Sequence, residues 1–387
     1  MRVLHVIPDL APETGGPVTA VLGLAEAQAA MGHEVCIASS NYGNNSTPQL
    51  DGVEFKLFPC RYDTWRWAPE LGRYLERFVK NYDVVMIESL WQYPTFIAGR
   101  ICRAAHMPYV LSPNGMLDAW SLAQKAWKKK PYMRLIESST LLGASAIHLT
   151  SEGELNNSHL NKWRVPKIVI PLGLHKSKYT DLPDESGFFR QYPELSGKRI
   201  VLFLGRLHYK KQPDVAIRAF YQACSEMLDA HLVLAGAGEQ PYIQRLHELV
   251  KSLGIQDRVL FTGILKGDAV KEAYQAASVF VLPSWQENFG LSLVEAMAAS
   301  CPVIISDHMD LAPDVLHARA GLVASPKVEE TAQAIACLLQ DEEMRYEMGS
   351  KGRQLVLEKF TWERCAREFS EVFDDILAGR SQSSAWR

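Results

Sequence analysis

The chain has 387 residues, enough for two domains that each bury a core of their own. A net charge of -3 excludes the strongly basic character of a general nucleic-acid binder, and its apolar stretches fall short of the roughly 20 residues a membrane helix needs. Seven scattered cysteines, odd in number and without a CxxC pair, point to reduced thiols in a cytoplasmic compartment rather than to disulfides or zinc.

In chain order, residues 2–7 read as a buried strand. A Pro/Gly-rich turn, PDLAPETGGP, and a helix over 18–31 follow. Strand, glycine turn and helix make the phosphate-side loop of a parallel α/β sheet. Gly15, Gly16 and Pro17 do not form GxGxxG, and no acid follows at dinucleotide spacing, which argues against NAD(P). Further strands are expected at 35–38, 53–58, 84–87, 109–112, 146–149 and 168–172, alternating with helical segments. The alternation defines a doubly wound first domain over 1–175.

Within it, SPNGMLDAWSLAQKAWKKKPYMR turns at Asn114-Gly115 and gathers Trp120, Lys125, Trp127, Lys128, Lys129 and Lys130. Such a segment is either a solvated basic helix face or a surface for anionic lipid head groups or a pyrophosphate-linked acceptor.

Residues 176–198, with two prolines and two glycines after Leu182, read as a linker. A second alternation fills 199–360: strands at 200–204, 232–235, 259–261, 278–282 and 303–306, with helices at 214–224, 242–253, 268–277, 328–339 and 342–360. Residues 361–387 form a helix over 362–377 and a frayed tail, and can pack back on the first domain. Two Rossmann-like halves facing a cleft are the expected architecture.

After the strand at 200–204 comes GRLHYKKQ. Gly205 permits a sharp turn there, and Arg206 with a lysine can neutralise a diphosphate. Gly236 and Gly263 follow the next two strands as further close-approach turns. The segment SWQENFGLSLVEAMAAS, residues 284–300, runs a loop into a helix N-terminus. Free N–H groups above Gly290, Leu291 and Ser292 favour an anion, and Gly290 removes the side chain that would hold it off. Glu287 and Glu295 then flank the anion, placed to accept from hydroxyls at both ends of an extended ligand. A nucleotide sugar has that layout. Solvated capping by the two acids is the plainer alternative.

GRLHYKK, AGAG and ENFGLSLVEAMA, in this order and spacing, resemble the retaining glycosyltransferases of family 4, with the GT-B fold. The resemblance covers essentially the whole chain. It implies Arg206 and Lys211 on the donor diphosphate, Glu295 on the ribose, Glu287 facing the donor sugar, and Asn288, Phe289, Gly290, Leu291 and Ser292 at the sugar and phosphates. It also implies Gly16 over the phosphates and backbone near Gly263 and Ile264 at the base. No cofactor or metal is implied, and no Asp-x-Asp is present to hold one. The implied partners are a UDP- or GDP-type nucleotide sugar and a glycan or lipid-linked acceptor in polysaccharide or glycolipid assembly, at the inner face of a membrane.

Two departures stand out. Asn114 occupies a position where related sequences carry histidine, so it can orient a sugar but cannot take a proton. Gln212-Pro213 follows Lys211 where glycine is usual. A nucleotide-sugar epimerase of the same fold, a silent sugar-nucleotide binder and an NAD-dependent oxidoreductase remain as alternatives.

Overall fold

The computed structural model describes every residue except 12–13, 44–47, 125, 159, 161–162 and 381–387. The chain divides into two units, Met1–His175 with Trp362–Arg387, and Lys176–Thr361.

The first unit is built on seven parallel strands: β1 (Arg2–Asp9), β2 (Glu34–Ser40), β3 (Val53–Phe58), β4 (Val84–Glu88), β5 (Tyr109–Ser112), β6 (Ala146–Leu149) and β7 (Lys167–Val169). Their order is β3-β2-β1-β4-β5-β6-β7. Both faces of β1 are dry, with Val3, Leu4, Val6 and Ile7 fully buried, as a parallel sheet covered by helices on each side requires. On one face Leu4, Val85, Ile87 and Leu111 pack with Leu71, Leu75 and Ile97. On the other, Val3, Val84, Met86 and Val110 meet Leu24 of the helix Gly16–Ala30 and Phe369 and Phe373 of the helix Trp362–Leu377. The terminal helix therefore closes the first unit's core. Gly23 makes this close approach feasible, because a side chain there would overlap the Trp362 ring. β7 is shorter than the strand expected over 168–172. Ile170 still donates to the Leu149 carbonyl, but Pro171 has no N–H with which to continue the ladder.

The second unit has six parallel strands: β8 (Arg199–Leu204), β9 (Ala230–Ala235), β10 (Val259–Gly263), β11 (Val279–Leu282), β12 (Val303–Ser306) and β13 (Gly321–Ala324). Their order is β10-β9-β8-β11-β12-β13. The strand β13 and the helix Ala312–Ala318 before it escape the sequence pattern. β13 is a four-residue edge strand, three of whose residues are only partly buried, so no apolar run marks it. Residues 176–198 group with this unit, and Tyr179, Phe188 and Leu195 are buried in it.

In each sheet the chain reverses its winding between two central strands, β1 and β4 in the first and β8 and β11 in the second. Ligands of such sheets bind outside the carboxyl ends of the strands at that switch point. No helix among the described residues is long and apolar enough to cross a membrane.

Candidate functional site

The switch point of the second unit brings together the two loops that carry most of the chemistry. The loop after β8 holds Arg206 and Lys211; the loop after β11 holds Glu287 and Gly290. Lys211 Nζ lies 2.5 Å from Glu287 Oε2, both side chains being about one-fifth exposed. Arg206 is exposed and has no ion pair among the described residues. Burial, and after it the Arg206 charge, holds the neighbouring His208 below its ordinary pKa, and His208 Nδ1 accepts from the Lys210 N–H. Gln212 adopts a left-handed conformation, φ 51°, and Pro213 starts the helix Pro213–Ala223, so the Gln-Pro departure leaves the helix start intact.

Glu287 and its neighbours are fixed from two sides. The Trp285 N–H donates to the Lys210 carbonyl, tying this loop to the one after β8. The Glu287 carbonyl accepts from Asp310 N–H, and the Ser306 hydroxyl donates to the Ser284 carbonyl, tying it to the turn after β12. Gly290 caps the helix Leu291–Ala298 with φ 75°, a conformation that disfavours any residue with a Cβ. The first helical bonds start at Leu293 and Val294, both into the Gly290 carbonyl. The N–H groups of Leu291 and Ser292 precede them, at the positive end of the helix. Phe289 contributes only backbone here, because its ring is buried edge-on against Phe360 at 5.5 Å. Asn288 is half-buried beside it.

Glu295 lies one turn inside this helix. Burial pushes its carboxyl up to about 7. The Tyr274 hydroxyl stands 3.2 Å from Glu295 Oε2 and 3.0 Å from the Ser292 carbonyl, sharing one proton between them. Tyr274 was missed in the sequence, because nothing local marks a tyrosine in the helix Asp268–Ala276 as the partner of a carboxylate 21 positions on.

Gly205, Gly236 and Gly263 lie at the carboxyl ends of three adjacent strands. Gly205 N–H donates to the Ala235 carbonyl and Gly236 N–H to the Gly263 carbonyl. A Cβ on Gly236 would run into the Gly205 carbonyl, so the two turns stack only because Gly236 has none. Ile264 is exposed beside them.

The remaining candidates belong to the first unit. Gly15, φ 76°, caps the helix Gly16–Ala30, and Gly16 is exposed at its start. The hook's entry is braced at Asp9, which accepts from Thr14 Oγ1 and Arg66 Nε at 2.6 and 2.7 Å. Asn114 is left-handed, φ 51°, and its Nδ2 donates to Glu88 Oε2 at 3.3 Å. Glu88, nearly fully buried at the end of β4, has His5 Nδ1 3.7 Å from its other oxygen. Gly115 N–H donates to the buried Glu154. Neither Glu88 nor Glu154 was singled out in the sequence, since both act across long separations.

In the basic segment, Trp127 is 75 % exposed and Lys130 is exposed, while Trp120 is half-buried. Lys128 Nζ lies 4.9 Å from the Trp127 ring centre. Lys129 corrects the expectation of a free surface charge. Its Nζ donates to the Ser121 carbonyl at 2.5 Å and lies 5.4 Å from the Trp91 ring centre, because the short helix Ala119–Ala123 ends there and leaves carbonyls to be satisfied. Lys125 falls outside the described residues.

The family described as "Glycosyl transferases group 1" matches residues 184–355, and that described as "Glycosyl transferase 4-like domain" matches residues 15–173. An uncharacterized glycosyltransferase of Methanocaldococcus jannaschii is 27 % identical over 96 % of this chain and 98 % of its own. A GDP-mannose-dependent alpha-(1-6)-phosphatidylinositol monomannoside mannosyltransferase of Mycolicibacterium smegmatis is 23 % identical over 98 % and 99 %. Among solved structures, Anabaena HepE in complex with UDP and glucose superposes with a TM-score of 0.80 over 97 % of this chain and 100 % of its own, at 17 % identity.

Proposed function

Because the chain belongs to the group 1 glycosyl transferases, we propose that it moves a sugar from a nucleoside-diphosphate sugar to a hydroxyl of a glycan or lipid-linked acceptor, with retention of anomeric configuration and without a metal ion. The observation that carries the donor side is the convergence of Arg206, Lys211, Glu287 and the Gly290 helix start on one switch point. Two cations and a helix N-terminus supply the positive charge that a departing diphosphate needs. Glu295 accepts from the ribose hydroxyls, Glu287 from the sugar, and the turns at Gly236 and Gly263 bring backbone to the base beside Ile264. The UDP and glucose held by the HepE structure fit a donor of this kind.

In the reaction, the acceptor oxygen bonds to the anomeric carbon on the face from which the diphosphate leaves. The bond to the diphosphate oxygen breaks, and that oxygen takes the acceptor proton. Arg206, Lys211 and the Leu291 and Ser292 N–H groups hold the charge that grows on it. Asn114 orients the sugar and exchanges no proton.

We also place the protein at the cytoplasmic face of a membrane, with Trp127, Lys128 and Lys130 toward anionic head groups. The test is calorimetric titration with UDP, GDP, ADP and NADH, repeated on Glu295→Ala and Arg206→Ala. Saturable binding of one nucleoside diphosphate, lost in both variants, is expected. Binding of NADH alone, or of none, overturns the reading.

A further inference from the structure

The first unit contains a cavity of about 830 Å³ that the donor chemistry does not use. Its volume lies in the range of about 300–1,000 Å³ common to small-molecule sites. Leu117, Leu122, Met133, Leu141, Leu160 and Trp163 supply much of its wall, all of them apolar. Lys130 and Arg134 also line it; both are exposed and have no acidic partner among the described residues. An apolar interior with unpaired cations at its edge is complementary to an amphiphile with an anionic head.

The same segment says from where such a ligand arrives. Trp127, Leu135 and Leu142 are exposed by 75, 78 and 57 % on the run of helical turns that walls the cavity. The run changes from α-helix over Ala126–Tyr132 to a π turn over Met133–Glu137, an irregularity frequent at functional sites. Aromatic and aliphatic side chains beside unpaired cations match the head-group level of a membrane.

We propose that this cavity takes the apolar chain of a membrane-borne, phosphate-bearing lipid, with Lys130 and Arg134 on its phosphate, and that this lipid carries the acceptor. The proposal rests on the glycosyltransferase reading for the lipid's role as acceptor, and on the cavity alone for its binding.

The experiment titrates the full chain with octyl, decyl and dodecyl phosphate below their micellar concentrations, with decanol as the neutral control, following tryptophan fluorescence. Affinity rises about fifteenfold for each two methylenes, then levels once the cavity is full. Ala126→Phe with Ser138→Phe, two wall positions, lowers decyl phosphate affinity at least tenfold. Lys130→Glu with Arg134→Glu lowers it for decyl phosphate and leaves decanol unchanged.

Vesicles of phosphatidylcholine with phosphatidylglycerol separate a cavity from adsorption: binding retained in full by the filled variant overturns the proposal, as does unchanged decyl phosphate affinity. Nucleoside diphosphate titrations run in parallel. Alkyl phosphate binding without nucleotide binding sinks the donor reading and leaves the cavity; the converse sinks the cavity alone. If the filled variant loses both ligands, the surface charge variant decides.

Discussion

Lys211 and Glu287, 76 positions apart, meet at 2.5 Å across the switch point of the second sheet. The pair joins the two loops that any ligand at the carboxyl ends of β8 and β11 must touch. It also fixes the position of the Lys211 ammonium before a diphosphate arrives. Lys211→Ala and Arg206→Ala are each expected to lower kcat by roughly 10²-fold or more, since each removes a fixed charge from the leaving group. With Glu287 facing the sugar as proposed, Glu287→Ala should alter KM for the donor as well as kcat. Steady-state kinetics with the cognate donor read all three.

Glu295 gives the site a pH dependence with a defined sign. Burial holds the free protein's carboxyl near about 7, so it is largely protonated at pH 6. In the proposed complex ribose hydroxyls donate to the ionised form and stabilise it, so its pKa falls on binding. Nucleotide affinity therefore rises from pH 6 to about 7 and levels above it, with proton release on binding over the rising part. Calorimetry in buffers of different ionisation enthalpy measures the release. In Glu295→Gln the dependence disappears. The same variant gains stability over the window between the ordinary carboxylate range and about 7, because the wild-type folded state there binds more protons than the unfolded one and loses stability as pH rises.

Asn114 offers a test of orientation against proton transfer. Its amide N–H is committed to Glu88, which leaves Oδ1 as its accepting end. Asn114→Ala should slow transfer about tenfold, the worth of one hydrogen bond of about 1–1.5 kcal/mol, and leave the shape of the pH–rate profile unchanged. Asn114→Asp sets one carboxylate against another and should be slower still. A profile that loses a limb in Asn114→Ala would mean that this residue governs a titrating group.

Gly236→Ala tests the stacking of the two glycine turns. The added methyl meets the backbone carbonyl of Gly205, which no side-chain rotation relieves, and φ 148° is itself unfavourable with a Cβ. A loss of about 1–3 kcal/mol is expected in denaturant unfolding of the second unit, together with weaker nucleotide binding. Gly254→Ala, with φ 68° but nothing within 4 Å, serves as the control and should lose only about 1 kcal/mol.

The sequence by itself determined whatever is written in local pattern. Buried runs such as 200–204 and helical spacing from Leu291 onward marked twelve of the thirteen strands among the described residues and the long helices, and the glycines marked the turns at strand ends. The Glu-x7-Glu segment placed two acids around a helix start, because a helix fixes the positions of residues a turn apart. β13 was not legible, since an edge strand of four residues, three of them only partly buried, leaves no periodic signal. Only the tertiary structure decided the partnerships. Parallel crossovers bring Lys211 to Glu287, Tyr274 to Glu295 and Asn114 to Glu88, and they return Phe369 to the core of the first sheet. It also decided that Lys129 is a cap and Phe289 a core residue, with Lys130 left at the mouth of an apolar cavity. Residue type and spacing state what a side chain can do. What it does depends on which distant segment the sheet order sets against it.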